Sequence, residues 1–150
     1  MNTFRFILIS LLFTVLGLQT AAIAASSATI SAEEVMVRVP MPGRTVTAGY
    51  LTLKNHTDQP QHLTAVSSDA FERVELHTHS HVDGMMRMHE VEQIEIPAHG
   101  EVLLQPGGLH LMLFNPLVEL VAEQSVDVTL YFAKGHSMVV QAQIVMPPRR

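Results

Sequence analysis

The chain has 150 residues, with nine Lys and Arg, fourteen Asp and Glu, nine His and nine Met, but no Cys and no Trp. This mildly acidic composition, with 15% charged and 5% aromatic residues, excludes a basic nucleic-acid-binding surface and a disordered or fibrous chain. The lack of Cys excludes disulfides, thiolate nucleophiles and Cys-based zinc or iron–sulfur sites, so soft-metal chemistry would have to use methionine and histidine.

The N-terminal segment has the pattern of a secretory signal. Arg5 precedes an apolar run over residues 6–18, and Ala22 and Ala24 are small residues suited to a cleavage site. The run is shorter than the roughly 20 apolar residues of a spanning helix, and no Cys follows it for lipid attachment. We therefore expect residues 1–24 to be a cleaved signal peptide and residues 25–150 to form one soluble, exported domain.

The rest of the sequence consists mainly of short segments with period-two alternation, bounded by Pro, Gly, Asn or Asp. This alternation predicts strands rather than helices. Turn signals about ten residues apart indicate an all-β sandwich or barrel. Only residues 116–122 lack alternation, and we predict a loop or one helical turn there. The predicted strands are 35–39, 48–54, 62–66, 73–79, 86–91, 101–104, 110–114, 125–132 and 138–145.

Candidate metal ligands occur in three segments, with the sequences HTHSH (77–81), MMRMH (85–89) and HLM (110–112). Residues i and i+2 of a strand share a face, so His110 and Met112 can both face one ion. A set of two His and two Met would favour Cu(I), since thioethers are soft donors, while imidazole also accepts Cu(II) and zinc. Taken singly these signals are weak, because Met often fills cores and the histidine run is also compatible with a solvated strand face.

Most of the remaining His and Met residues are predicted to have structural roles. The segment from His136 to Met138 repeats the His-x-Met spacing, but it follows a Lys-Gly turn, so we predict no ligand there. Met85 and Met86 follow the Asp-Gly turn signal, and at least one of them should be exposed. Four further histidines have no partner at ligand spacing, namely His56, His62, His89 and His99.

His77, Met88, His110 and Met112 together follow the pattern H-x10-M-x21-H-x-M. This pattern resembles the copper-ligand signature of the periplasmic copper chaperones of the PCu(A)C type. The blocks at 47–55, 74–77 and 106–113 are also similar to that family, and the resemblance extends over about residues 35–145. It implies a single cupredoxin-like β-sandwich or barrel that binds one Cu(I) near its surface through those four side chains.

The resemblance further implies a periplasmic carrier, not an enzyme, that delivers copper to the copper-A centre of cytochrome c oxidase subunit II or to a thioredoxin-like assembly factor. We expect a monomer without nucleic-acid partners. His79 and His81 lie inside the first spacer and could add Cu(II) binding, but the resemblance does not assign them. The short tail after Met146 has no Met/His-rich extension, so a second copper site there is not expected.

Three other functions are alternatives to copper delivery. A periplasmic copper buffering or resistance protein would use the same site. A metal-free β-sandwich interaction module would explain the strands but leave the spacing of the four residues to chance. A hydrolase is disfavoured because the sequence has no G-x-S-x-G, H-E-x-x-H or Walker motif.

Overall fold

The computed structural model describes residues 29–148, so the predicted signal peptide lies outside the described residues. Within 29–148, no helix is long and apolar enough to cross a membrane. Regular structure in this range comprises ten strands and a short 3₁₀ turn at Ala133–Gly135. The strands are β1 Ile30–Arg38, β2 Val46–Asn55, β3 Gln61–Ser67, β4 Phe71–Val82, β5 Met85–Glu90, β6 Ile94–Ile96, β7 Glu101–Leu104, β8 His110–Pro116, β9 Ser125–Phe132 and β10 Ser137–Val145.

The nine predicted strands are confirmed, two of them (β7 and β9) at both ends. The sequence did not predict β6, which has only three residues. Residues 117–122 form bends and turns after β8, so the predicted loop is present and no helical turn forms. The all-β class inferred from the alternation is therefore correct for the described part of the chain.

The strands form one sheet in the order β5-β4-β8-β2-β1-β10-β9-β3-β6, with β7 also paired to β2. Strands β1 and β10 pair in parallel and the other pairs are antiparallel. The sheet curves back on itself, so β6 contacts β7 and β2, and β3 contacts β4. Fully buried aliphatic side chains fill the enclosed space, among them Leu53, Leu63, Ile96, Leu113 and Leu130.

The hairpin of β4 and β5 lies at one edge of this sheet. Val82 pairs with Met85, and the two residues between them, Asp83 and Gly84, have φ angles of 52° and 74°. Two positive φ angles define a type I′ turn, which suits the right-handed twist of a hairpin and explains the Asp-Gly sequence. All six residues of β5 are exposed, and β5 is an edge strand of the sheet.

Candidate metal centre

Three neighbouring strands carry the four residues singled out by their spacing. In the register of β4 with β8, His77 lies directly opposite His110. In the register of β4 with β5, Met88 lies opposite His79, two residues along β4 from His77. Met112 follows His110 by two residues on β8. Because strand side chains alternate and directly paired residues share a face, these side chains all project from one face of the sheet.

His110 is held in a defined orientation. Its side chain is buried, with 4% of the residue exposed, and its Nδ1 lies 2.9 Å from the carbonyl oxygen of Gly108. A carbonyl can only accept, so Nδ1 carries the proton and donates it, which leaves the lone pair on Nε2 free. A backbone acceptor of this kind commonly fixes the tautomer and ring orientation of a metal-binding histidine.

The environment of His110 also keeps it neutral. Burial lowers the pKa of His110 below its ordinary value of 6.5, the hydrogen bond to Gly108 opposes this shift, and the imidazoles of His79 and His77 lower the pKa further. A neutral imidazole retains the lone pair that a metal ion needs. The burial of this side chain therefore favours its ligand form.

His77 is oriented by a carboxylate. Its Nε2 lies 2.8 Å from Oε2 of Glu75, and the other carboxylate oxygen lies 2.7 Å from Nε of Arg73. The carboxylate accepts a hydrogen bond from the protonated Nε2, so in the neutral ring the lone pair is on Nδ1. That Nδ1 is buried and has no hydrogen-bond partner. A buried acceptor without a partner is unfavourable in a protein interior, and a bound cation would satisfy it.

His79 also belongs to this cluster. Its ring stacks on that of His110 with centroids 4.9 Å apart, while the His77 and His110 centroids are 6.0 Å apart. Its Nδ1 is likewise buried without a partner. The family resemblance does not assign this residue, although its period-two distance from His77 predicts that it lies on the same strand face.

The two methionines lie on the more open side of the cluster. Met88 is 46% exposed, and Met112 is partly buried. Both line a surface cavity of about 730 Å³ together with His110, and Met41 and Met146 line the same cavity. Solvent and another molecule can thus reach the thioether of Met88, whereas His110 is buried although it lines the same cavity. The rest of the lining includes Arg38, Val46, Ala48 and Pro147.

The histidines predicted to be structural have other partners. His136 stacks on Phe132 with centroids 4.7 Å apart. The remaining contacts are His56 with Ser31 at 2.8 Å, His62 with Glu95 at 3.4 Å, His99 with Asp58 at 2.6 Å and His89 with Ser80 at 3.5 Å. Among residues 29–148, no three His, Asp or Glu side chains are arranged to hold a metal ion.

Several solved structures share this fold. The solution structure of Cu(I)-bound DR1885 from Deinococcus radiodurans is 31% identical, with a TM-score of 0.66 and coverage of 83% of this chain and 83% of that chain. The apo form of DR1885 is 28% identical, with a TM-score of 0.63 and coverage of 98% and 97%. The copper-bound PCuAC domain from PmoF2 is 25% identical, with a TM-score of 0.66 and coverage of 79% and 94%. The protein is thus a cupredoxin-like β-domain of the PCu(A)C type, as its sequence pattern predicted.

The family is established independently by sequence. The chain belongs to the family described as putative lipoprotein LpqE-like, whose model matches residues 30–144. An uncharacterised protein of Rickettsia prowazekii is 29% identical over 98 residues, which are 65% of this chain and 54% of that protein. A putative lipoprotein of Leifsonia xyli subsp. xyli is 30% identical over 107 residues, or 71% and 64%. The chain therefore spans between half and two thirds of the length of these two curated relatives.

Proposed function

We propose that the protein is an exported copper chaperone that carries Cu(I) on His77, Met88, His110 and Met112. The observation that carries this proposal is the strand register, which places all four side chains on one face of β5, β4 and β8. The H-x10-M-x21-H-x-M spacing thereby acquires a structural reason. The Cu(I)-bound form of a relative with 31% identity supports the choice of metal.

The donor set suits Cu(I) better than harder ions. Thioether sulfur is a soft donor, and imidazole is a borderline one, whereas zinc, calcium and magnesium favour thiolate, imidazole or oxygen ligands in proteins. The free lone pairs inferred for Nδ1 of His77 and Nε2 of His110 give the ion two nitrogen donors. Met88 and Met112 give it two sulfur donors. The imidazoles also allow Cu(II) binding, although the thioethers are weaker ligands for Cu(II) than for Cu(I).

The same donor set suits a carrier that releases its cargo. None of the four ligands is anionic, so a partner with Cys thiolates would bind Cu(I) more strongly and could replace the ligands one at a time. Replacement would begin at Met88, which is 46% exposed. Because the sequence contains no Cys, the protein cannot reduce a disulfide in its partner. We therefore propose a carrier that is not an enzyme.

We infer from the family resemblance that the recipient is the copper-A centre of cytochrome c oxidase or a thioredoxin-like assembly factor that serves it. The pattern of residues 1–24 supports export to the periplasm. A strain without this gene should lose oxidase activity at limiting copper and regain it when copper is added. Unchanged oxidase activity together with greater copper sensitivity would instead identify a buffering or resistance protein.

X-ray absorption spectroscopy of the Cu(I)-loaded protein tests the ligand set directly. We expect two sulfur and two nitrogen neighbours around the ion. A shell without sulfur would refute the proposed site. The Met85→Ala variant is the matched control, because Met85 lies on the same hairpin but alternates to the opposite face, and it should give the same spectrum as the unaltered protein.

A further inference from the structure

The face that carries the four proposed ligands continues toward the tip of the β4–β5 hairpin with more residues of the same two types. His81 lies directly opposite Met86, and the next pair on this face is His79 opposite Met88. The outer group, defined as His79, His81 and Met86, is therefore continuous with the proposed copper ligands. None of these three residues belongs to the H-x10-M-x21-H-x-M pattern.

The hairpin geometry brings the outer group within reach of one ion. Directly opposite residues of an antiparallel pair have Cβ atoms about 4.5–5.5 Å apart, and residues i and i+2 of a strand are about 6.6–6.8 Å apart. The side chains of His79, His81 and Met86 are long enough to converge from such positions. Their donors are again neutral imidazole nitrogen and thioether sulfur, which suit Cu(I).

One further observation distinguishes the outer group from an ordinary solvated strand face, and a second shows that its sulfur is accessible. The Nδ1 atom of His79 is buried without a hydrogen-bond partner, so it has a lone pair or a proton that nothing in the cluster satisfies. Met86 is 60% exposed, so an ion arriving from solvent can reach its thioether, and Met85 on the opposite face is similarly exposed, at 55%, which makes it a matched control. By contrast, His89 on the opposite face has Ser80 as a partner at 3.5 Å.

His79 connects the outer group to the proposed site. Its ring stacks on that of His110 at 4.9 Å, and its paired residue is Met88. The outer pair of His81 and Met86 is therefore two residues along the hairpin from Met88. Transfer between the two sets would exchange one neutral donor for another at each step, and the ion would remain Cu(I) throughout, with no electron or proton transferred.

We propose that His79, His81 and Met86 form a second, outer Cu(I) site at the hairpin, through which the ion reaches or leaves the inner set of four ligands. This inference rests on the proposed function for its Cu(I) chemistry. It goes beyond that function by assigning a second site and a direction of access along the β4–β5 hairpin. The outer site should be the weaker one, since its members are more exposed and include one sulfur.

The test is an anaerobic titration of the full mature protein with Cu(I), monitored by NMR of ¹³C-labelled methionine methyl groups. The first equivalent should shift the methyl signals of Met88 and Met112, and a second, weaker equivalent should shift that of Met86. The double variant His81→Ala plus Met86→Ala should bind only the first equivalent. The control variant Met85→Ala plus His89→Ala removes the same residue types from the other face and should still bind both.

Three results would overturn the outer site. These are a Met86 signal that stays fixed through the second equivalent, a second equivalent that persists in the His81 and Met86 double variant, or equal loss of it in the control variant. Failure of the proposed function gives a different result, because the signals of Met88 and Met112 would then not respond to the first equivalent. A shift of Met86 under those conditions would support the outer site alone.

Discussion

The contact between Glu75 and His77 gives the most specific prediction about the inner site. The Glu75 side chain is 19% exposed, and Arg73 holds its second oxygen at 2.7 Å, so this acceptor is fixed in place. Outer partners of metal-binding histidines typically contribute about 10- to 100-fold in metal affinity. The Glu75→Ala variant should therefore bind Cu(I) about 10- to 100-fold more weakly, which corresponds to about 1.4–2.8 kcal/mol.

Two variants calibrate this effect. Glu75→Gln keeps an oxygen that can accept a hydrogen bond from Nε2, so its loss of affinity should be smaller than that of Glu75→Ala. Glu95→Ala removes the carboxylate of a similar pair, Glu95 with His62 at 3.4 Å, which belongs to β6 and β3. That control should leave the affinity unchanged.

The assay is a competition titration with a chromophoric Cu(I) chelator under anaerobic conditions. Circular dichroism should show the same folded spectrum for all three variants. Each variant alters an ion pair with one exposed partner, Arg73 at 60% or Glu95 at 64%, and such a pair adds at most about 1 kcal/mol to stability. An unchanged Cu(I) affinity for Glu75→Ala, or equal weakening by Glu95→Ala, would refute the role of Glu75 in orienting His77.

Three other predictions concern the inner site and its strands. The double variant Met88→Ala plus Met112→Ala should lose most Cu(I) affinity in the same titration while its circular dichroism is unchanged; unchanged affinity would contradict sulfur ligation. Cu(I) affinity should decrease as pH falls below about 6.5, since protonated imidazole cannot bind the ion, and burial, which lowers the pKa of His110, extends the neutral form of that residue to lower pH. A flat affinity between about pH 7.5 and 5 would contradict imidazole ligation. Amide hydrogen exchange should be faster in β5 than in β8, because β5 is exposed throughout and β8 pairs on both sides; equal protection would show that the hairpin is not the labile part of the site.

Most of the fold could be predicted from alternation, and the differences have local causes. The first strand begins at Ile30, five residues before the predicted start, because a bulge between Glu33 and Met36 shifts the register. Glu34 has a φ of 52° there, which interrupts the period-two pattern. Strand β6 has only Ile94, Glu95 and Ile96, too few residues for the pattern to be recognised.

The candidate site could be predicted only in part. Spacing selected four residues, and the structure brings them onto one face of three adjacent strands. The contacts that orient the histidines were not predicted, because the acceptor for His110 is a backbone carbonyl at Gly108 and carries no side-chain signature. The position of His79 beside His110 depends on the pairing of β4 with β8. This pairing joins residues more than 30 positions apart and cannot be predicted from the sequence of either strand alone.

The two sides of the site differ in a way that bears on how a carrier works. His110 is 4% exposed and belongs to a strand paired on both sides, so its position is fixed before any ion binds. Met88 is 46% exposed and belongs to the edge strand β5, which pairs only with β4. Its position therefore depends on that one pairing. In the proposed site, a rigid nitrogen side would reduce the ordering cost of binding, whereas an accessible sulfur side would let an incoming thiolate approach the ion while the histidines still hold it. The proposed carrier would then use different ligands of one site for binding and for release.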